Sequence, residues 1–207
     1  MDTELLVPQA LEAFTVILPV TAETVKYTFM LGTVVVVLNT LHLNNSSLIP
    51  DTFYFVNNNR PIITTGFESD VRLRMDEFQF FIGYIYVDAQ RKYNNEQPVV
   101  PLTPQHKINM DIIYEQENNF SVAGEVFYIS SMFRDFDTKT KAYTTIGLIV
   151  QKHFKHFSVV ANCKNLFDVR QTRYENIVIP PVNAPTFRQV YAPLDGRVFN
   201  VAIRIKI

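Results

Sequence analysis

Four charged side chains stand at every second position of one short run: Glu68, Asp70, Arg72 and Arg74, within residues 62–75. On an extended chain that spacing puts all four on one side. Four charges in a row are too many for a dry core, so the run suits a wet surface, either outer solvent or a water-filled lumen. The presence of both signs predicts mutual pairing. Asp111 and Glu125 take equivalent places in later runs, and the six together are the charged lumen candidates. Other chemistry is thinner. His153-Phe154-Lys155-His156 is an H-x-x-H without a third ligand nearby, and reads as a basic, solvated turn. Asp135 and Asp137 lie in a stretch that lacks the glycine and closing glutamate of a calcium loop, and read as solvated loop. Cys163 is the only cysteine, which excludes an intrachain disulfide and leaves a small apolar filler. There is no nucleophile elbow, phosphate loop or zinc spacing, and with 6 glycines a phosphate cradle has little support. The expectation is a protein that is not an enzyme and holds no metal or cofactor.

The elements that carry these residues read as strands. Alternation is plain in residues 62–75, 78–87, 106–114 and 120–129, weaker in 143–152 and 157–165, and clearest at the end. There Phe199, Val201, Ile203, Ile205 and Ile207 share one face, with Asn200, Ala202, Arg204 and Lys206 on the other. Runs of about ten residues match the ~9–11 that cross a bilayer at a tilt and exceed the ~5–6 usual in soluble sheets. Tyr84, Tyr86, Tyr114, Tyr128 and Tyr143 sit toward strand ends, where an interfacial belt wants them. Connections alternate between short and long: 76–77, 116–119 and 153–156 are short, whereas 89–104, 133–142 and 169–195 are long. Outer-membrane barrels pair short periplasmic turns with long outer loops in this way. The predicted fold class is all-β, an antiparallel transmembrane barrel segment of about eight or nine long meandering strands.

Composition agrees. Hydrophobic residues make up 47% and charged residues 19% of 207, with 17 Phe, 10 Tyr and no Trp; the mean hydropathy is +0.03. A net charge of −1 provides no field to recruit nucleic acid. The most apolar run, residues 27–43, is broken by Gly32, Asn39 and His42 and falls short of a spanning helix. Residues 1–13 carry acids where a secretory signal needs basic residues. Residues 1–47 fit neither membrane strand nor plug: 4–14 are helix-like and 33–38 do not alternate. They are set apart as an atypical segment, degraded strands or a remnant, ahead of a barrel segment at 48–207.

Several of these stretches look familiar together. Phe55-Val56-Asn57-Asn58-Asn59 before Gly66-Phe67-Glu68 resembles a strand pair in the barrels of TonB-dependent receptors. So does Gly83-Tyr84-Ile85-Tyr86-Val87-Asp88-Ala89 with its loop ending Pro101-Leu102-Thr103-Pro104. Asn165-Leu166-Phe167-Asp168 resembles the family's N-L-F-D strand end, and Leu194-Asp195-Gly196-Arg197 its turn into the last strand. The order holds over residues 50–207 and is most similar to receptors of the Bacteroidetes type. The resemblance implies the C-terminal barrel portion of an outer-membrane receptor of a Gram-negative cell that imports a scarce ligand such as a siderophore, cofactor or glycan. It implies outer-membrane lipid and the barrel assembly machinery as partners, with TonB reached only through a plug absent from this sequence, and no nucleic acid. The final strand, Phe199 to Ile207, would carry the assembly signal, although Ile207 stands where the family ends in an aromatic residue. Eight or nine strands, against about twenty-two in the full barrel, imply a truncated receptor that transports nothing by itself. The alternative is a soluble or surface β-barrel or sandwich that binds a ligand or partner.

Overall fold

The computed structural model describes residues 12–20, 23–36, 60–134 and 138–205. Alternating and β-branched sequence gives long strands: β1 Glu12–Val20, β2 Glu23–Val36, β3 Ile62–Met75, β4 Phe78–Arg91, β5 His106–Gln116, β6 Phe120–Ile129, β7 Tyr143–His153 and β8 Phe157–Lys164. A short pair, β9 Val178–Ile179 and β10 Thr186–Phe187, follows before the last strand, β11 Val198–Ile205. Nine strands pair antiparallel in the order β1-β2-β3-β4-β5-β6-β7-β8-β11. This is the expected meander, and among the described residues it is an open sheet whose two edges are β1 and β11. The strands β1 and β2 lie in the N-terminal segment that the sequence set apart; of the helix-like stretch 4–14, residues 12–14 belong to β1. Phe55–Asn59 of the first family-like motif, Asp135, Asp137, Lys206 and Ile207 lie outside the described residues.

Tight turns set the register. The two-residue turn after β3 places Asp76 in left-handed backbone (φ 45°), and Asn118 does the same between β5 and β6 (φ 55°). Asp and Asn tolerate that region best among residues with a Cβ. Because partners across an antiparallel ladder share a face, register fixes which side each side chain takes. Glu68, Asp70, Arg72 and Arg74 face the same way as their partners Ile85, Gly83, Phe81 and Gln79. Phe81 pairs with Asp111, Asp111 with Glu125, and Glu125 with Gly147. All six charged candidates therefore lie on one face.

The other face is apolar from strand to strand. One row across it reads Val71, Ile82, Met110, Val126 and Ile146. No second layer covers it among the described residues: Ile82, Ile112 and Leu148, all on inner strands, remain 40%, 39% and 39% exposed. Phe199, Val201, Ile203 and Ile205 of β11 share this face and are exposed too. Such a surface is a liability in water and an asset in hydrocarbon.

Aromatic rings gather at both ends of this face. At the long-loop end, Phe67 packs against Tyr84 (5.4 Å between ring centres) and Tyr86 (5.9 Å), and Tyr84 shares a 2.7 Å hydrogen bond with the His106 ring. At the short-turn end, Phe78 packs against Phe80 (6.2 Å) and Tyr114 (4.9 Å), and Tyr114 against Phe120 (5.6 Å). Tyr84, Tyr86, Tyr114 and Tyr128 join these belts as the sequence suggests. Tyr143 does not: it pairs with Ile129 on the opposite face.

Candidate functional site

Two regions could meet a ligand: the polar face of the sheet and the long loops at its end. On the polar face, Asp111 and Glu125 stand directly opposite each other. Their Cα atoms are thus only about 4.5–5.5 Å apart. Two glycines leave room for the acids. A Cβ on Gly83 would come within 2.6–2.9 Å of the Asn109 amide and the Asp70 carboxylate. A Cβ on Gly147 would lie 3.1 Å from Glu125 Oε2. Asp70 and Asn109 thus close over one gap, and Glu125 leans over the other.

The pairing expected among Glu68, Asp70, Arg72 and Arg74 does not form: no ion pair links them among the described residues. Same-strand neighbours two apart are separated by about 7 Å and project in parallel, which water separates easily. Arg72 instead lies over the Phe81 ring across the ladder, 5.7 Å from its centre. The result is a strip of one face bearing both signs of charge. No group of three or more histidines, cysteines or acids that could hold a metal ion occurs among the described residues; His153 ends β7, and His156 lies in the turn beyond it.

The long-loop end is built differently. The connections 92–105, 130–142 and 165–197 all emerge there. The Leu102 amide donates to the Phe133 carbonyl (2.9 Å), joining the first two. Arg134 reaches across to Glu175 through both terminal nitrogens, joining the second to the third. The guanidinium also lies over the Tyr191 ring, 4.7 Å from its centre. Both side chains of this pair are largely buried. Hydrogen bonds from Arg134 hold the Glu175 carboxyl below the usual carboxylate range, against the effect of burial, and Gln171 and Arg188 add to them. The bond to Glu175 raises Arg134 in turn.

Gln171 is the hub of this end, with no exposed surface. Its amide nitrogen donates to Glu175 Oε1 and to the Gln189 carbonyl, each at 2.8 Å. Its amide oxygen accepts from the Tyr191 N–H (2.9 Å) and the Ala192 N–H (3.3 Å). A buried amide with every donor and acceptor engaged fixes its surroundings in one arrangement. The Tyr143 hydroxyl donates to the Tyr191 carbonyl (3.1 Å), tying β7 to the same loop.

The N-L-F-D and G-R stretches explain how the last loop closes. The Asn165 side chain donates to the Val169 carbonyl (2.8 Å) and the Asp195 carbonyl (3.1 Å), and accepts from the Val169 N–H (2.8 Å). Asn165 and Asp168 both take positive φ, 51° and 57°. Asp168 accepts from Arg170 and Arg173 and sits where a Cβ of Gly196 would be. These contacts return the chain to the start of β11. Sequence reasoning marked the motif and missed Arg134, Gln171, Glu175 and Tyr191, which carry no periodic signal.

A family model described as "TonB dependent receptor-like, beta-barrel" matches residues 32–166. No curated protein sequence matches the chain. Among solved structures, the chain is similar to the copper transporter OprC (TM-score 0.63, 12% identity), over 94% of this chain and 30% of that one. A mutant of the ferric enterobactin receptor PfeA from Pseudomonas aeruginosa gives 0.60 at 13% identity, over 93% and 30%. The siderophore receptor PirA from Acinetobacter baumannii gives 0.58 at 14%, over 93% and 31%. These likenesses speak for the fold, and the chain spans about 30% of the length of those receptors. With the family match covering more than half of the sequence and a nine-stranded open meander beneath it, this chain belongs to the TonB-dependent receptor-like β-barrel family.

Proposed function

We propose that the chain forms part of the wall of an outer-membrane import receptor, its apolar face in lipid and its polar face toward a water-filled lumen. The observation that carries this reading is the separation of faces over the inner strands, with no layer over the apolar one among the described residues. Glu68, Asp70, Arg72, Arg74, Asp111 and Glu125 then hydrate the channel, meet the plug or guide the ligand. The clasped long loops form part of the outer vestibule. The ligand is a scarce one of the siderophore, cofactor or glycan kind, a reading supported by solved relatives named for copper and ferric siderophores. In hydrocarbon, the free backbone groups of edges β1 and β11 cost several kcal/mol each. A transporting barrel therefore needs further strands to pair them, and the sheet alone transports nothing. The barrel assembly machinery, reading the β11 strand, is the proposed route of insertion.

Alternating cysteines in β11 test the reading, in a Cys163→Ser background so that each is the only thiol. In isolated outer membranes, a membrane-impermeant maleimide should label cysteine at Asn200 or Ala202 and spare it at Val201 or Ile203. Recovery of the protein in the soluble fraction, with one pair masked by packing, would instead establish a soluble sandwich.

A further inference from the structure

The short-turn end of the sheet is divided by charge. The turns after β3 and β5 carry Asp76, Glu77 and Glu117, which line an open, polar depression with Arg74 and Glu115. The turn between β7 and β8 is the opposite. It carries Lys155 and His156 and is flanked by Lys152, all three exposed. Between these basic residues the rings of Phe154 and Phe157 stack, 4.6 Å apart and 19° from parallel. The Phe154 N–H donates to the Phe157 carbonyl at 2.8 Å, which closes the turn. Both rings remain open to the surroundings, 45% and 39% exposed.

This turn continues the aromatic belt. Lys152 pairs with Phe120 on the apolar face, lies 5.9 Å from the centre of that ring and donates to the Asn119 side chain. Phe157 pairs with Ile205 on the same face. Aromatic rings at a membrane boundary favour the level of the headgroups, and lysines on apolar stems extend their ammonium groups to phosphates. We infer that the β7–β8 turn docks the headgroup of an anionic phospholipid in the adjacent leaflet. The Phe154–Phe157 pair rests at the hydrocarbon boundary, and Lys152 and Lys155 take the phosphodiester. The inference rests on the membrane reading above. Charge confines it to this turn, because the acidic turns beside it repel the same headgroup. The uncovered ring pair points to a lipid in a bilayer, since free phosphate gains nothing from it.

The chain contains no tryptophan, so Phe154→Trp gives a single fluorescent reporter at the turn. The full-length variant is reconstituted into phosphatidylcholine vesicles in which about a fifth of the lipid is brominated, either phosphatidylglycerol or phosphatidylcholine. Brominated phosphatidylglycerol should quench about two- to threefold more, given the attraction of each lysine to an anionic surface. The excess should vanish when K152Q and K155Q are added. Lys155→Gln alone, which keeps the Lys152–Asn119 bond, should remove about half of it, so the test survives any loss of folding in the double variant. Equal quenching by the two lipids overturns the docking point and leaves the membrane reading intact. With the sheet shown by circular dichroism to have formed in the vesicles, no quenching by either overturns both. An excess that persists in K152Q/K155Q overturns the role of the lysines.

Discussion

The sheet and the long-loop end are held together by opposite means. Through the sheet, order comes from backbone ladders, and the side chains on both faces look outward, one set apolar and one charged. Among the described residues no side-chain core lies between layers, so the surroundings decide how stable the apolar face is. At the long-loop end, the Arg134–Glu175 pair and fully buried Gln171 satisfy one another, and Met132 and Ala192 are buried nearby. That region has the interior of a small soluble protein. The contrast teaches where each kind of substitution does damage. A charge added to the apolar face matters only in a bilayer, whereas an unpaired polar atom in the loops matters in any medium.

The largest expected effect probes the sheet. Leu148 and Ile149 are neighbours at the centre of β7 with opposite facings: Leu148 pairs with Gly124 and Cys163 on the apolar face, Ile149 with Ala123 and Asn162 on the polar one. Leu148→Arg should lower stability in lipid vesicles by about 2–4 kcal/mol, the cost of arginine against lipid near the midplane. Ile149→Arg should cost much less. Urea unfolding of the two variants in the same vesicles measures the difference, and equal losses would show that the faces do not see different media.

Next comes the hub of the loops. Gln171→Leu keeps much of the volume but strips partners from the Tyr191 and Ala192 N–H groups. Leaving such buried groups unpaired costs about 1–3 kcal/mol. Hydrogen exchange should quicken at Tyr191 and Ala192 while the β5–β6 ladder keeps its protection. Loss of protection in both places would mean that loops and sheet unfold as one unit.

A smaller effect follows from pH. The folded Glu175 carboxyl is held below its ordinary value by Arg134, so the unfolded chain takes up that proton at higher pH than the folded one. The clasp's contribution is complete above about pH 4.3. It is lost as pH falls through the lower folded value. Protection at Tyr191, corrected for the intrinsic exchange rate, should therefore fall as the pH drops below about 4.3. Glu175→Gln should remove this dependence. A slope unchanged by that substitution would assign the acid sensitivity to another group.

These two regions also differ in how far the sequence reveals them. Facing in a strand has a period of two, so Glu68 to Arg74 declared a common side, and the ladder carried that side over to Asp111 and Glu125. Turn length could be read at Asp76 and Asn118 because few residues accept their backbone. Nothing comparable marks Gln171. Its partners lie 4, 18, 20 and 21 positions away, and Arg134 finds Glu175 across 41. Such contacts depend on where three irregular loops meet, which no local period records. The pairing expected within Glu68–Arg74 failed for the converse reason: spacing puts charges on one side without bringing them into reach.

The finest test joins the two regions, at the point where the last loop enters β11. Gly196 does not have a positive φ, so its lack of a side chain serves space rather than backbone freedom. A methyl group there would collide with the Asp168 carboxylate, which holds Arg170 and Arg173. Both arginines are partly exposed, so each pair contributes only about 0.2–1 kcal/mol. Gly196→Ala should therefore cost of the order of 1 kcal/mol in unfolding measurements, by moving Asp168 off its partners. The cause can be isolated by a double-mutant cycle. In an Asp168→Ala background the obstacle is gone, and the same substitution at Gly196 should cost close to nothing. An unchanged cost in that background would place the strain in the backbone entering β11, and so in the sheet rather than in the loop.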